Sequence, residues 1–231
     1  MFICLYNNVS LSLNLNYFYF QTLFKNKSIY HIIMSTYICV LDFEATCGGN
    51  LKKIHDREII QFPSILYEVT TNNKVLHISD FNEYVKPELH PILTKFCTEL
   101  TGITQQTVNE ADTFVNVYRR HHEWLLENVP DFDNFFFLTC GQWDLAEMLP
   151  CQVRRHPRIK LYSCYKKYCD IKKDFGKFYK IKSGGLATML RILQIKLEGK
   201  HHNGFDDCKN TAKIMIKMVT DGYSDFILFY A

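Results

Sequence analysis

Asp42 and Glu44 stand one residue apart in "YICVLDFEATC", residues 37 to 47, directly after five residues suited to a buried strand. In an extended chain, residues two apart point to the same face, so these two carboxylates share a side and reach a common partner. Like charges held this way repel unless something positive lies between them. The pair is therefore either the start of a cation site or simply the place where a strand meets solvent, and charged residues usually mark surface.

Two later segments bear on that choice. Asp144, in "CGQWDL", falls where an apolar run turns into a helical pattern, a position that suits a helix cap or a ligand aimed into a crevice. In "GKHHNGFDDCKNTAKI", His202 precedes Asp207 by five residues, in a Gly-containing loop that leads into a helix. Alone, such a histidine is often idle, and Asp206 or Asp207 reads as an N-cap. Together the order is acid-x-acid after a first strand, a later Asp after another strand, and His-x4-Asp opening a late helix.

The elements that must hold these groups follow from periodicity. "REIIQFPSILYEVT" and "KVLHISDFNEYVKP" read as extended runs joined by a turn at "TNNK", which predicts a hairpin. From Pro91 to Val129 apolar residues recur three and four apart, with Pro91 placed to open one helix and Thr113 to cap another. "NFFFLTCG" reads as a buried strand stopped by Gly141, and "SGGLATMLRILQI" and "DDCKNTAKIMIKMV" as helices opened by Ser and Asp. Strands, helices, a strand and more helices predict an α/β domain in which an antiparallel hairpin joins parallel-paired central strands. The crevice of such a sheet lies beyond the carboxyl ends of its central strands, where Asp42, Glu44 and Asp144 fall.

With "DFEATC", "CGQWDL" and "HHNGFDD.KN" in this order, the sequence resembles the DEDDh 3′-to-5′ exonucleases of the ribonuclease H-like fold. It is most similar to the exoribonuclease group of the histone-mRNA 3′-end exonuclease and the enhanced-RNA-interference enzymes, from about Tyr37 to about Val219. The resemblance implies an α/β, ribonuclease H-like mixed sheet and hydrolysis of phosphodiester bonds at a free 3′ end to nucleoside 5′-monophosphates. It implies two Mg²⁺ ions, with Mn²⁺ able to substitute, held by Asp42, Glu44, Asp144 and Asp207. Hard cations prefer carboxylate oxygen, and a pair of them activates the attacking water and stabilises the departing oxygen. His202 is the expected general base, since imidazole titrates near neutrality, with His201 as the neighbour that a shifted register would choose.

Expected substrate contacts are Phe43, Ala45, Thr101, Trp143, Lys166, Lys167, Lys172 and Lys173. Trp143 suits stacking on a terminal base or a place in the core. Thr101 lies in "CTELTGIT", a segment that borders the terminal nucleotide in the wider family and that a turn between helices explains equally well. The run "YKKYCDIKKDFGKFYKIKS" interleaves aromatics with lysine, as single-strand binding surfaces do, and reads otherwise as a solvated basic face. The expected partner is the 3′ end of single-stranded RNA. Alternatives are a repair-type 3′ exonuclease acting on DNA and a non-catalytic binding protein of the same fold. A pure binding module has no use for carboxylates that repel phosphate.

Composition sets the frame. Of 231 residues, 47% are hydrophobic and 15% aromatic, ample for a packed core. Nine cysteines, odd in number and without a CxxC pair, read as reduced thiols of a cytoplasmic or nuclear protein. From Arg154 to Lys182 eleven Lys or Arg face two acids, a local +9 that leaves −6 for the rest of a chain of net charge +3. A basic stretch beside an acidic remainder suits a phosphate-binding surface near a carboxylate site. Residues 1–33 carry no charge through Phe24, yet Asn and Ser interrupt every apolar run, so neither a spanning helix nor membrane binding is expected. They read as an extension or a mis-assigned start ahead of Met34, and residues 34–231 as the exonuclease domain. The extension is too short and too uncharged for a second nucleic-acid-binding domain, which leaves selection of a particular RNA to a protein partner.

Overall fold

A computed structural model describes residues 35–231; the expected extension lies outside the described residues. Strand β1, Thr36–Leu41, alternates strictly, with Cys39 and Leu41 entering one apolar cluster and Ile38 and Val40 the other. Both faces are covered, so the strand reads as one apolar run. The expected hairpin forms from β3, Ile59–Val69, and β4, Val75–Lys86, closed by Thr70 and Lys74 around a left-handed Asn73. The short strands β2, Glu44–Ala45, and β5, Asp112–Thr113, complete this side of the sheet.

Strand β6, Phe135–Thr139, lies parallel to β1, followed by β7, Lys167–Asp170, in parallel and β8, Leu228–Tyr230, antiparallel. The sheet order is β5-β4-β3-β1-β6-β7-β8, with β2 paired to β3. This is the mixed sheet expected, with the antiparallel hairpin on one side of a parallel centre.

Seven α-helices flank it among the described residues. They are α1, Lys95–Thr101; α2, Gln105–Glu110; α3, Phe114–Asn128; α4, Leu149–Arg154; α5, Ile171–Tyr179; α6, Leu186–Ile192; and α7, Gly204–Thr220. Phe114, Val117 and Tyr118 of α3 and Leu149 and Val153 of α4 pack on the Cys39/Leu41 face. Phe175 of α5, Met189 of α6 and Met215 of α7 pack on the Ile38/Val40 face. The eight described cysteines are free. No described helix is long and apolar enough to cross a membrane.

Helix starts differ from the sequence reading in instructive ways. Pro91 opens nothing; α1 starts at Lys95, where Thr94 Oγ1 accepts from Cys97 N at 3.0 Å. Thr113 takes the cap position of α3 without a side-chain bond, and Gly185, not Ser183, precedes α6. Helix α7 is capped by Asn203, whose Oδ1 accepts from Asp206 N, which frees both aspartates from capping. The basic run from Tyr165 onward is in part strand β7, where Tyr168 and Cys169 are buried, and not one continuous solvated surface.

Candidate active site

Past the end of β1, the chain turns Asp42 and Glu44 to the same side while Phe43 goes to the other, its ring edge-on to Phe62 at 4.6 Å between centroids. Glu44 is fixed by pairing of β2 with Gln61 of β3. One oxygen each from Asp42, Glu44 and Asp207 lies within 4.8 Å of the others. Three sequence-distant segments meet here, because Asp144 joins through the backbone: Phe43 N donates to Asp144 Oδ1 at 2.8 Å.

Asp144 reaches this position by way of an unusual turn. Strand β6 stops at Thr139, whose hydroxyl donates to Gly141 O at 2.6 Å, and Gly141 takes φ +120, a value that disfavours a side chain. The chain then winds as a π-helix over Trp143–Met148 before α4, a geometry that is rare and concentrates at functional sites.

Asp207 comes from the first turn of α7, and the loop before it is tied to that turn. Asn210 Oδ1 accepts from Glu198 N at 2.9 Å, and its Nδ2 donates to Glu198 O and Asp206 O, both at 2.8 Å. Lys200 N donates to Asp206 Oδ2 at 2.9 Å, and His202 N to Asp207 Oδ2 at 2.9 Å. His202 itself is left-handed, φ 67, and its exposed ring stacks on His201 at 4.0 Å between centroids. The side chain that contacts Asp207 is His201, with Nδ1 at 3.1 Å from both carboxylate oxygens.

Crowding these acids has an electrostatic cost. Burial, then the charges of Asp144, Asp207 and Glu44, push Asp42 well above the usual carboxylate range. Burial and the charges of Asp207 and Asp144 push Glu44 up to about 9, against a pull from Lys200. Burial pushes Asp144 up to about 7, although the Phe43 amide and Lys172 pull it down. His202 is lowered by burial and by His201. Buried acids that repel one another, offering only hard oxygen acceptors, are a donor set that fits a divalent cation, whose charge reverses those shifts. A second grouping joins His201, His202 and Asp207.

The expected substrate contacts separate into two groups. Trp143, next to Asp144 in the chain, is half-buried and packed on the Cys39/Leu41 core. Lys172 also belongs here: its Nζ lies 2.9 Å from where a Gly141 Cβ would stand. The others do not. Thr101 is fully buried, its hydroxyl donating to Cys97 O and accepting from Ile103 N. Phe43 and Ala45 have buried side chains, and their Phe43 N and Ala45 O are engaged by Asp144 and the Cys97 thiol. Lys166 and Lys167 lie at the amino end of β7, away from the carboxyl end where the acids gather; Lys167 Nζ donates to Asp133 O at 2.8 Å. Lys173 Nζ sits 3.9 Å over the Phe229 ring.

Sequence reasoning passed over three contributors. Lys200 lies beside the site, its Nζ donating to Glu99 O at 2.8 Å, and its place next to His201 was a signal. Asn210 was inside the quoted motif, three residues after Asp207, one helical turn on. Gln61 gave no local signal; its Oε1 accepts from Gly204 N at 3.1 Å across 143 residues.

Comparison with known proteins places this geometry. Residues 39–215 match the model of the RNase_T family, described as Exonuclease. The chain is 38% identical to human "3'-5' exoribonuclease 1" over 213 residues, covering 90% of this chain and 59% of that protein. It is 39% identical to human "ERI1 exoribonuclease 3", covering 81% of this chain and 55% of that one. The chain thus spans a little over half the length of these relatives. Among solved structures, the nuclease domain of 3'hExo, a DEDDh family member bound to rAMP, matches with TM-score 0.73 and 36% identity, over 81% of this chain and 94% of that one. Cell-death related nuclease 4 matches with TM-score 0.73 and 28% identity, over 80% of this chain and 64% of that one. With these matches, a ribonuclease H-like sheet, and the acids and histidine in the order that the DEDDh enzymes show, the chain belongs to the exonuclease family.

Proposed function

We propose that the protein is a 3′-to-5′ exoribonuclease that removes nucleoside 5′-monophosphates from the 3′ end of single-stranded RNA. The observation that carries this is the meeting of Asp42, Glu44, Asp144 and Asp207 at one end of the sheet with His202 beside them. The names of the similar proteins and the rAMP-bound neighbour support RNA as the substrate.

Asp42, Glu44, Asp144 and Asp207 would hold two Mg²⁺, or Mn²⁺ in their place. When bound, the pair supplies charge to activate the attacking water and to stabilise the departing 3′ oxygen. The protein does the rest. His202, whose pKa partial desolvation and the neighbouring His201 lower from the ordinary imidazole value, stands on the loop before α7 where its ring could take the attacking water's proton. The Phe43 amide holds Asp144 in place, and Asn210 holds the histidine loop to α7. Lys172 sets a positive charge beside Asp144, where a phosphate would arrive. Trp143 offers a partly exposed face for the terminal base.

The test is a time course on RNA and DNA of one sequence, each labelled at either end, with Mg²⁺ and with a chelator. Immediate mononucleotide release from the 3′ label, a shortening ladder from the 5′ label, and loss of both with chelator are expected. Internal cuts, or trimming from the 5′ end, would overturn the reading; faster loss of DNA would move the substrate to DNA.

A further inference from the structure

Away from the carboxylates, the loop after α4 and the exposed side of α3 border an open depression of about 400 Å³ lined by Arg119, Arg158 and Lys160 with Tyr118, Pro157 and Tyr162. Among the described residues none of the three cations forms an ion pair. Arg120, the next residue on α3, shows the contrast: it grips Glu83 at 2.6 Å and Asp112 at 2.8 Å. The loop is fixed in place. Tyr118, buried in the core, accepts from Tyr162 N at 3.0 Å and donates to Lys160 O at 3.3 Å, and Tyr162 stacks on His122 at 3.8 Å between centroids. Three exposed cations without an ion pair among the described residues thus converge on one concavity set on a fixed loop, an arrangement that concentrates positive potential.

The Tyr162 ring is taken up by His122 and Tyr118, so the cavity offers charge and not a stacking face. The helical chain from Trp143 to Arg154 separates the Asp144 turn from this loop, so only a strand that extends several nucleotides past the trimmed end reaches both.

We propose that Arg119, Arg158 and Lys160 form a second, phosphate-binding site that holds the backbone of the RNA upstream of the 3′ end being trimmed. This rests on the exoribonuclease reading for the identity of the ligand. Guanidinium forks and an ammonium spread around one cavity match the repeated charges of a nucleic-acid backbone, where a single carboxylate would meet only one of them.

The experiment compares the full chain with Arg119→Gln/Arg158→Gln/Lys160→Gln and with each single substitution, using Ca²⁺ in place of Mg²⁺. Fluorescence anisotropy reads binding of a labelled trinucleotide, a single-stranded 20-mer, and a stem with the same 3′ overhang. The ratio of 20-mer to trinucleotide affinity should fall roughly tenfold in the triple variant, and the slope of log affinity against log salt should become shallower by about 2. Each single variant should take a share of that loss, and melting by circular dichroism reports folding. A loss shared by single strand and stem assigns the site to the strand, and a loss confined to the stem assigns it to the duplex. An unchanged length ratio and salt slope would overturn the proposal, as would a patch that binds polyglutamate and is indifferent to RNA. If the parent hydrolyses no RNA but the length-dependent loss appears, the activity reading falls and the binding site stands.

Discussion

The amide of Phe43 donates to Asp144 Oδ1 at 2.8 Å, so the peptide between two of the site's acids holds the third. Asp144→Asn keeps an oxygen for that bond and removes one charge from the cluster. Hydrolysis of 3′-labelled RNA should drop by a hundredfold or more, about 2.7 kcal/mol in barrier, with the far-UV spectrum unchanged. Asp42→Asn should behave alike. Activity within tenfold of the parent for both would remove these residues from the chemistry.

The same charges make the metal-free protein sensitive to pH. A carboxyl whose folded pKa lies above its unfolded value stabilises the fold while protonated, in full below the unfolded value near 4, and loses that contribution as pH rises through the folded value. With Asp144 pushed up to about 7 and Glu44 to about 9, stability without metal should decline between pH 4 and 9. Asp144→Asn should melt roughly 3 °C or more above the metal-free parent at pH 8, with the gap closing by pH 5. Added Mg²⁺ should raise the parent's melting temperature more at pH 8 than at pH 6. A variant that gains nothing at pH 8 would show that the acids do not repel.

His202→Ala should lower the rate about a hundredfold or more while leaving metal binding by calorimetry nearly intact. Because burial and His201 lower the His202 pKa from 6.5, the parent's rate should rise with pH through a step below that value, and the variant should lack the step. His201→Ala should be the milder change, although its ring is the one that touches Asp207. An exchange of the two phenotypes would give His201 the role of base.

Lys172 separates from the other lysines of the basic run. Lys172→Ala should raise KM for RNA severalfold and push the Asp144 carboxyl further up, since Lys172 pulls it down. Lys166→Ala with Lys167→Ala should change neither, since both lie at the other end of β7. Equal effects on KM would restore the continuous basic surface that the sequence suggests.

Gly204 is placed by space and not by backbone angle. A Cβ there would stand 2.6 Å from Asp42 O and 2.8 Å from Pro63 Cγ, so the start of α7 touches the backbone that carries the first site acid. Gly204→Ala should cost about 1–3 kcal/mol of stability and more than tenfold in rate, as the first turn of α7 backs away and takes Asp207 with it. Chemical denaturation and the hydrolysis assay read the two effects separately.

How much of this was legible follows from how far each signal travels along the chain. Asp42, Glu44, Asp144, His202 and Asp207 sit at ends of strands or starts of helices, and local period shows those ends. The sheet's centre was legible for the same reason, through the apolar runs of β1, β3 and β6. Strand β7 was hidden because its four residues lie among lysines, and charge masked the burial of Tyr168 and Cys169. The lysines do not act as one surface: a run in sequence crosses a short strand and a helix, which send Lys167, Lys172 and Lys173 in three directions. Thr101 looked like a loop hydroxyl and is an internal cap, and Gln61 to Gly204 is a contact over a distance that no local pattern carries.

The π-helical turn at Trp143–Met148 holds one residue more than an α-helical path would need. Deleting a single residue there would let the turn relax to α-helix at little expense to packing farther along α4. It would also tighten the turn that carries Asp144 from i→i+5 to i→i+4 bonding, moving its carboxylate off the Phe43 amide. The proposed chemistry is thus exposed to a one-codon loss at a place where the fold could absorb it, and a well-folded but inactive protein is what such a deletion should leave behind.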